Sequence, residues 1–457
     1  MQLGYDYFKD KKVTVMGLGL LGRASGDAAF IAEAGAAEVL VTDLKSEEEL
    51  AESVAKLRDY ENVKFVLGEH RNQDFVDRDL ILVAAGVPMN SPYLKVAKGA
   101  GVSLKQSAAL FAELAGVPVI GVTGTRGKST VTQMIHHVLN YVTGEDILLG
   151  GNIRGVSNLQ LLKQVTDASL AVMELDSWQL QGWGWAQRSP QVAVFTNFME
   201  DHLNYYRASG ETKQAAMAAY FADKANIFRF QDDAGVLVTT PEVFQLAETY
   251  ASDLGVTIGQ EVVLADASVI PEDCLLAMPG EHNRLNAALA YEALKATSLS
   301  EEAIFEGLAS FPGVEGRLQL VRTVNNVRIY NDNNATTPAA TVAALKALDV
   351  GTQNIVLIAG GADKDIALES LVAAIGNHCK QVVLPGTGTD RLAPMVPEAI
   401  LSPDLAAALE EARLAASPAD IILFSPAFAS FGQYQNEYER NDEFMKLVDA
   451  ISDEATE

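Results

Sequence analysis

Apolar and polar positions along the chain repeat one pattern three times: a short apolar run, a glycine-containing turn, then apolar residues at helical spacing. The first round reads KKVTVMGLG, a helix over 27–34 and the strand AEVLVTD, followed by strand-like DLILVAAGVP and helical SPYLKVAKGAG to about residue 112. The second opens with VPVIGVTG, after which Val131, Met134, Ile135, Val138, Leu139 and Val142 recur at helical spacing and predict a helix with one buried face. The third begins near Pro312, with VNNVRIYND, NIVLIAGGADKD, KQVVLPGTG and ADIILFSPA as strands. Strand-then-helix alternation predicts an α/β protein with parallel sheets. Ligands of such sheets gather at the carboxyl ends of strands, where Asp332, Lys364 and Ser430 all fall. The pattern divides the chain into three domains, residues 1–112, 113–312 and 313–457.

Size and composition fit this division. A chain of 457 residues is too long for one ordinary hydrophobic core, and 49% apolar residues describe a folded protein. No run is apolar enough to span a bilayer, and MQLGYDYFKDKK lacks the core of a signal peptide, so the chain reads as cytoplasmic, without stable membrane insertion. Two cysteines, Cys274 and Cys379, suit a reducing compartment and read as small buried hydrophobes. A formal net charge of -26 repels nucleic acid, so a phosphate-bearing partner has to be held by local donors and metal ions.

Two nucleotide fingerprints stand in one chain. Gly17, Gly19 and Gly22 match G-x-G-x-x-G, with Asp43 about where the ribose-binding acid of a dinucleotide fold follows. GVTGTRGKST departs from the plain G-x-x-x-x-G-K-S/T spacing, since Val122 stands where a glycine is expected, so Gly124 and Gly127 carry the turn. Its backbone N–H groups and the positive end of the following helix can cradle phosphates, with Gly124, Gly127 and Thr130 among the binding residues, while Lys128 supplies charge and Ser129 a hydroxyl for magnesium. Glu174 ends the apolar strand of SLAVMELD and is placed to hold magnesium; an exposed strand-end acid is the other reading. TNFMEDHLNYY offers Asp201 and His202 after another strand, against the reading of His202 as a packed polar residue; His136 and His137 read as structural or surface groups. Asn283 and Asn286 sit at a helix start in GEHNRLN, where an amide can read an adenine edge or cap the helix, and Arg317 in GRLQLV can neutralise a transferred phosphoryl group or be a surface charge. Trp178, Trp183 and Trp185 read as packing beneath the proposed metal site.

Taken in order, GVTGTRGKST, ELDSWQL, EDHLNYY, GEHNRLN, YNDNNATTP, AGGADKD and SPAFASF resemble the Mur ligases of peptidoglycan synthesis, over essentially the whole chain and most closely their D-glutamate-adding branch. The resemblance implies a Rossmann-like N-terminal domain for the UDP of a nucleotide-sugar substrate, a central P-loop ATPase-type domain with a parallel sheet, and a C-terminal Rossmann-like domain for the amino acid. Two fingerprints then mean two nucleotides, neither of them NAD. ATP, Mg2+, UDP-N-acetylmuramoyl-L-alanine and D-glutamate are the implied ligands, and a monomer the implied state. By position, Lys128 and Ser129 would contact ATP phosphates and magnesium, Glu174 magnesium, and His202 a second magnesium. Asn283 and Asn286 would face adenine, with Arg317 near the γ-phosphate and Asp332 at the ribose. Lys224 matches a lysine that the family carbamylates into a metal ligand, although its spacing from His202 is longer than the family's. Leu20, Gly86, Asp43 and Lys45 would contact uridine and pyrophosphate, Asn152 the muramoyl-alanine part, and Thr336, Lys364 and Ser430 the glutamate carboxylates. The implied reaction phosphorylates the substrate's carboxylate and lets the amine of glutamate displace phosphate, with domain closure excluding water.

Several positions depart from the family pattern. Asn334 stands for a lysine, Gly316 and Gln319 replace the outer members of H-R-F-E, Asp176 is introduced beside the proposed metals, and the uracil-facing D-T-R reads DLK. Related ligases adding L-glutamate or L-alanine therefore stay open. The N-terminal Rossmann-like domain argues against a folylpolyglutamate synthase, intact Lys128, Ser129, Glu174 and His202 argue against a nucleotide-binding relative without ligase activity, and the ATP loop argues against an NAD-dependent dehydrogenase built on GLGLLG.

Overall fold

The computed structural model describes residues 3–167, 169–207, 212–255, 258, 261–386, 390–430, 433–434 and 436–452. Compactness divides it into two units, residues 1–274 with 285–308, and residues 275–284 with 309–457.

The first unit holds two sheets. One contains β1 (Lys12–Met16), β2 (Glu38–Asp43), β3 (Val63–Leu67), β4 (Leu80–Val83) and β5 (Ser103–Lys105), in the order β3-β2-β1-β4-β5. The other contains β6 (Val119–Thr123), β7 (Leu148–Gly151), β8 (Ala171–Glu174), β9 (Val192–Phe195), β10 (Val236–Thr239) and β11 (Glu261–Leu264), in the order β11-β10-β9-β6-β8-β7. Every pairing in both is parallel. That is why β4, β6, β8 and β9 are apolar on both faces, being covered by helices on each side. One core runs through both sheets, including Phe30, Phe111, Leu159, Leu180 and Trp183. A buried carboxylate ties them further: Asp27 Oδ1 accepts from Ser157 Oγ at 2.6 Å and from the Leu159 amide at 3.0 Å.

The second unit holds β12 (Gln319–Val324), β13 (Val327–Asn331), β14 (Ile355–Ile358), β15 (Cys379–Pro385), β16 (Ile400–Ser402) and β17 (Ile421–Phe424), ordered β12-β13-β17-β14-β15-β16. Here the expectation of a wholly parallel sheet is corrected, because β12 and β13 are antiparallel. Asn325 and Asn326, at φ 49° and 63°, form a tight left-handed turn, so VNNVRIYND is a strand end, a hairpin turn and a second strand. β3, β7, β10, β11 and β16, three to five residues each, were not picked out in the sequence. Among the described residues no helix is long and apolar enough to cross a membrane.

Candidate active site

The phosphate loop leaves the carboxyl end of β6 and enters the helix Lys128–Thr143, whose apolar stripe is buried at Val131, Met134, Ile135, Val138 and Leu139. Glycine is required at both turn positions. Gly124 has φ 144°, and a Cβ there would lie 1.9 Å from Thr196 Oγ1; Gly127 is the left-handed N-cap at φ 80°, where a Cβ would meet Asn286 Oδ1 at 2.6 Å. Asn197 holds the loop open: its carbonyl accepts from the Thr125 amide at 2.9 Å and its Oδ1 from the Arg126 amide at 2.8 Å. The Lys128 ammonium folds back onto the Gly124 and Thr125 carbonyls, 3.1 Å from each. The first helical turn, carrying Ser129 and Thr130, is thereby presented as an anion site.

Glu174 is the last residue of β8, beside β6, and is 4% exposed. Asn152, just beyond β7, donates Nδ2–H to Glu174 Oε1 at 3.3 Å and accepts at Oδ1 from the Arg23 guanidinium. Arg23 has no motif of its own and was not legible in the sequence. His202 follows β9 by seven residues, takes φ 54° and packs against Trp178, ring centres 4.8 Å apart, with Asp201 beside it. Burial holds its imidazole below the ordinary range, partly opposed by Asp201. Trp183 lies in the core and Trp178 packs on His202, while Trp185 joins a smaller cluster with Leu94 and Ala97.

Lys224, the residue least securely placed by spacing, comes to the phosphate loop. It is 1% exposed, donates to the Gly124 carbonyl at 2.7 Å, and lies over the Tyr220 ring, 5.0 Å from its centre. Burial first, and then the neighbouring Lys128, pull its pKa well below that of an ordinary lysine. Asp176 is accounted for locally. It caps the helix Ser177–Ala186 through a reciprocal box with Gln179, accepting from the Gln179 amide at 2.8 Å.

Among the described residues no three His, Cys, Asp or Glu side chains form a metal cage. Magnesium does not require one. It binds through one or two protein oxygens and completes its shell with phosphate and water, and a buried carboxylate one strand from an anion-binding loop with a hydroxyl at Ser129 fits that demand.

A cavity of about 640 Å³ opens at the carboxyl edge of the first sheet, lined among others by Leu20, Arg23, Asp43, His70, Gly86 and Tyr93. Asp43 Oδ2 accepts from the Leu18 amide at 2.7 Å and the Gly19 amide at 3.2 Å, and Oδ1 from the Lys45 amide at 2.9 Å. The Leu18 and Gly19 amides of this turn are therefore held by a carboxylate of the neighbouring strand. The Lys45 ammonium pairs with Glu49 at 3.8 Å and does not line the cavity.

In the second unit, Asp332 is buried at the end of β13, its oxygens accepting from the Leu318 amide at 3.1 Å and Ser425 Oγ at 2.8 Å. Burial pushes its carboxyl up to about 7, against the pull of Arg317. Asn283 is 2% exposed and donates to the Pro279 carbonyl at 2.9 Å. Lys364 donates to Thr336 Oγ1 at 3.3 Å, and paired backbone bonds between Ala362 and Ala429 bring the Lys364 loop to the loop of Ser430. Asn334, where the family pattern has lysine, donates to the Glu315 carbonyl at 3.2 Å and so braces the loop of Gly316 and Arg317.

Comparison with known proteins finds three adjoining domains of one family: the MurD-like N-terminal domain over residues 11–106, the Mur ligase middle domain over 122–294, and the Mur ligase glutamate ligase domain over 316–428. A UDP-N-acetylmuramoylalanine–D-glutamate ligase of Roseiflexus sp. (strain RS-1) is 34% identical over 97% of this chain and 99% of its own. Another of that name, from Streptococcus equi subsp. zooepidemicus, is 33% identical over 98% and 99%. In fold the chain is similar to the UDP-N-acetylmuramate-alanine ligase MurC of Thermotoga maritima, with TM-score 0.58 and 19% identity over 96% of this chain and 99% of that one. It is similar too to MurF ligase of that organism in complex with ADP, with TM-score 0.56 and 15% identity over 97% and 96%. The chain belongs to the Mur ligase family, and within it to the MurD type.

Proposed function

We propose that this chain is the ATP-dependent ligase that joins D-glutamate to UDP-N-acetylmuramoyl-L-alanine in peptidoglycan precursor synthesis, through an acyl phosphate. The observation that carries the residue-level reading is the hydrogen-bonded run from Arg23 in the cavity wall, through Asn152, to Glu174 beside the phosphate loop. It gives a substrate held in the cavity a polar path for its carboxylate towards the γ-phosphate of ATP.

In the first step a carboxylate oxygen forms a bond to the γ-phosphorus, the bond from that phosphorus to the bridging oxygen breaks, and ADP leaves. In the second the amine of glutamate, having lost a proton, bonds to the acyl carbon and inorganic phosphate departs. Leu20, Asp43 and Gly86, which line the cavity, are the proposed contacts of the uridine diphosphate, and Asn152 of the muramoyl-alanine part; Lys45, paired with Glu49 outside that lining, would have to leave Glu49 to join them. The amides of the Gly124–Thr130 turn and Lys128 hold the phosphates and offset the repulsion between the two anions. Magnesium, when bound by Ser129 and Glu174, with His202 and Lys224 at a second position, would neutralise charge on the phosphoryl oxygens. Lys224 suits conversion to a carbamate, because its environment favours the uncharged amine that attacks carbon dioxide; the N–C bond forms and the amine proton is released. Asn283, Asn286, Arg317 and Asp332 are proposed at the adenine, γ-phosphate and ribose, and Thr336, Lys364 and Ser430 at the carboxylates of the amino acid.

Release of ADP by purified protein with ATP, magnesium and UDP-N-acetylmuramoyl-L-alanine tests this reading, with product mass recorded for D-glutamate, L-glutamate and L-alanine. Product with D-glutamate alone is expected. Product with another amino acid only would reassign the substrate, and ATP binding without any product would support a non-catalytic relative.

A further inference from the structure

Arg440 is a charged side chain that the proposed reaction does not use, and it lies inside the second unit at 3% exposure. All three of its nitrogens donate to carbonyl oxygens: Nε to Asn333 Oδ1 at 2.8 Å, one terminal nitrogen to the Asn333 backbone oxygen at 3.0 Å, and the other to the Phe428 backbone oxygen at 3.3 Å. No ion pair involves it among the described residues; its guanidinium carbon lies 6.0 Å from the centre of the Phe424 ring. The guanidinium is bound only by neutral acceptors, and Glu437, the acid one turn earlier on the same helix that acts on it, forms no ion pair with it, an arrangement that fold stability alone does not favour.

The two acceptor residues sit in the two loops that carry the amino-acid contacts. Asn333 lies three residues before Thr336, and Phe428 lies two residues before Ser430. The platform beneath Arg440 is firm. Its helix, Glu437–Asp449, is capped by Asn436, whose Oδ1 accepts from the Tyr438 and Glu439 amides at 3.0 Å each. Next to it, Asn441 donates to Glu315 at 2.6 Å and accepts from Asn331 Nδ2 at 2.9 Å. Burial lowers the guanidinium only to about 10, so it stays charged at neutral pH.

We propose that Arg440 is a positioning residue of the amino-acid subsite, clamping the Asn333 and Phe428 loops so that Thr336 and Lys364 are held in register with Ser430, and lending that subsite a buried positive charge. The charge suits a doubly anionic amino acid, in a chain where Asn334 supplies none. This inference rests on the ligase reading, and the two fail separately: a wild-type protein without D-glutamate-dependent product removes the reading, whereas an active wild type allows the test of Arg440.

The test compares KM for D-glutamate, ATP and UDP-N-acetylmuramoyl-L-alanine in wild type, Arg440→Gln and Arg440→Lys, with a melting curve for each. Arg440→Gln is expected to raise KM for D-glutamate by about tenfold or more, with the other two KM values within about twofold of wild type. Arg440→Lys keeps the charge but cannot fork to both loops, so its KM for D-glutamate falls between those of wild type and Arg440→Gln. Should Arg440→Gln fail to fold, Arg440→Lys still has to show the selective rise. The proposal is overturned if all three KM values rise together, if kcat falls with KM for D-glutamate unchanged, or if neither variant folds, since the residue would then serve stability alone.

Discussion

At the scale of single residues, Lys224 and Asp332 are each held in a place that disfavours their usual charge. For Lys224 the consequence is chemical. With 13C-labelled bicarbonate, wild type is expected to give one carbamate carbon resonance that is missing from Lys224→Ala, whose ligase activity is lost and not restored by bicarbonate; an active Lys224→Ala would remove the carbamate from the account. For Asp332 the consequence is thermodynamic. Its folded pKa, pushed up to about 7, exceeds the ordinary 3.8, so over that window the folded state keeps a proton that the unfolded state has lost. The stabilisation is fully present below the lower value and disappears as pH rises through the upper one. Melting temperatures of wild type should therefore fall relative to Asp332→Asn between about pH 5 and about pH 7.5 and then level off; parallel curves would contradict this. Neither environment was legible in the sequence, because burial of a charged group is decided by residues distant along the chain. Lys224 and the Gly124 carbonyl it binds are 100 positions apart.

At the scale of elements, local rules left clear marks. The phosphate loop, the stripe of the helix Lys128–Thr143 and the carboxyl-end positions of Glu174 and Asp332 followed from periodicity and glycine placement. The hairpin of β12 and β13 did not, since Asn325 and Asn326 were read as part of a strand although paired asparagines favour a left-handed turn. Asp176, read as an added acid near the proposed metals, does act on His202 and Lys224, and it has a second role that the sequence did not suggest, as an N-cap. Asp176→Ala should lower stability by about 1 kcal/mol and Asp176→Asn by much less, because asparagine caps as well as aspartate does. Denaturant unfolding of the two variants separates the cap from the charge: equal losses in both would make the charge, not the cap, the important part.

At the scale of the molecule, three α/β alternations were legible because each parallel strand needs a long apolar run and a covering helix. What they could not convey is that the first two sheets share one core and a buried Asp27 link, so that the cavity wall at Arg23 reaches Glu174 through a single asparagine. On the proposed reading, its central consequence is that the nucleotide-sugar carboxylate and the phosphate of ATP meet in one reaction. The most direct measurement of that is isotopic. With 18O in the terminal carboxylate of UDP-N-acetylmuramoyl-L-alanine, turnover with ATP and D-glutamate should place one 18O in the inorganic phosphate released, because the oxygen that attacks phosphorus leaves with it. The other carboxylate oxygen stays in the amide carbonyl by any route; phosphate free of 18O, with the displaced label found in AMP or water, would contradict the acyl-phosphate account.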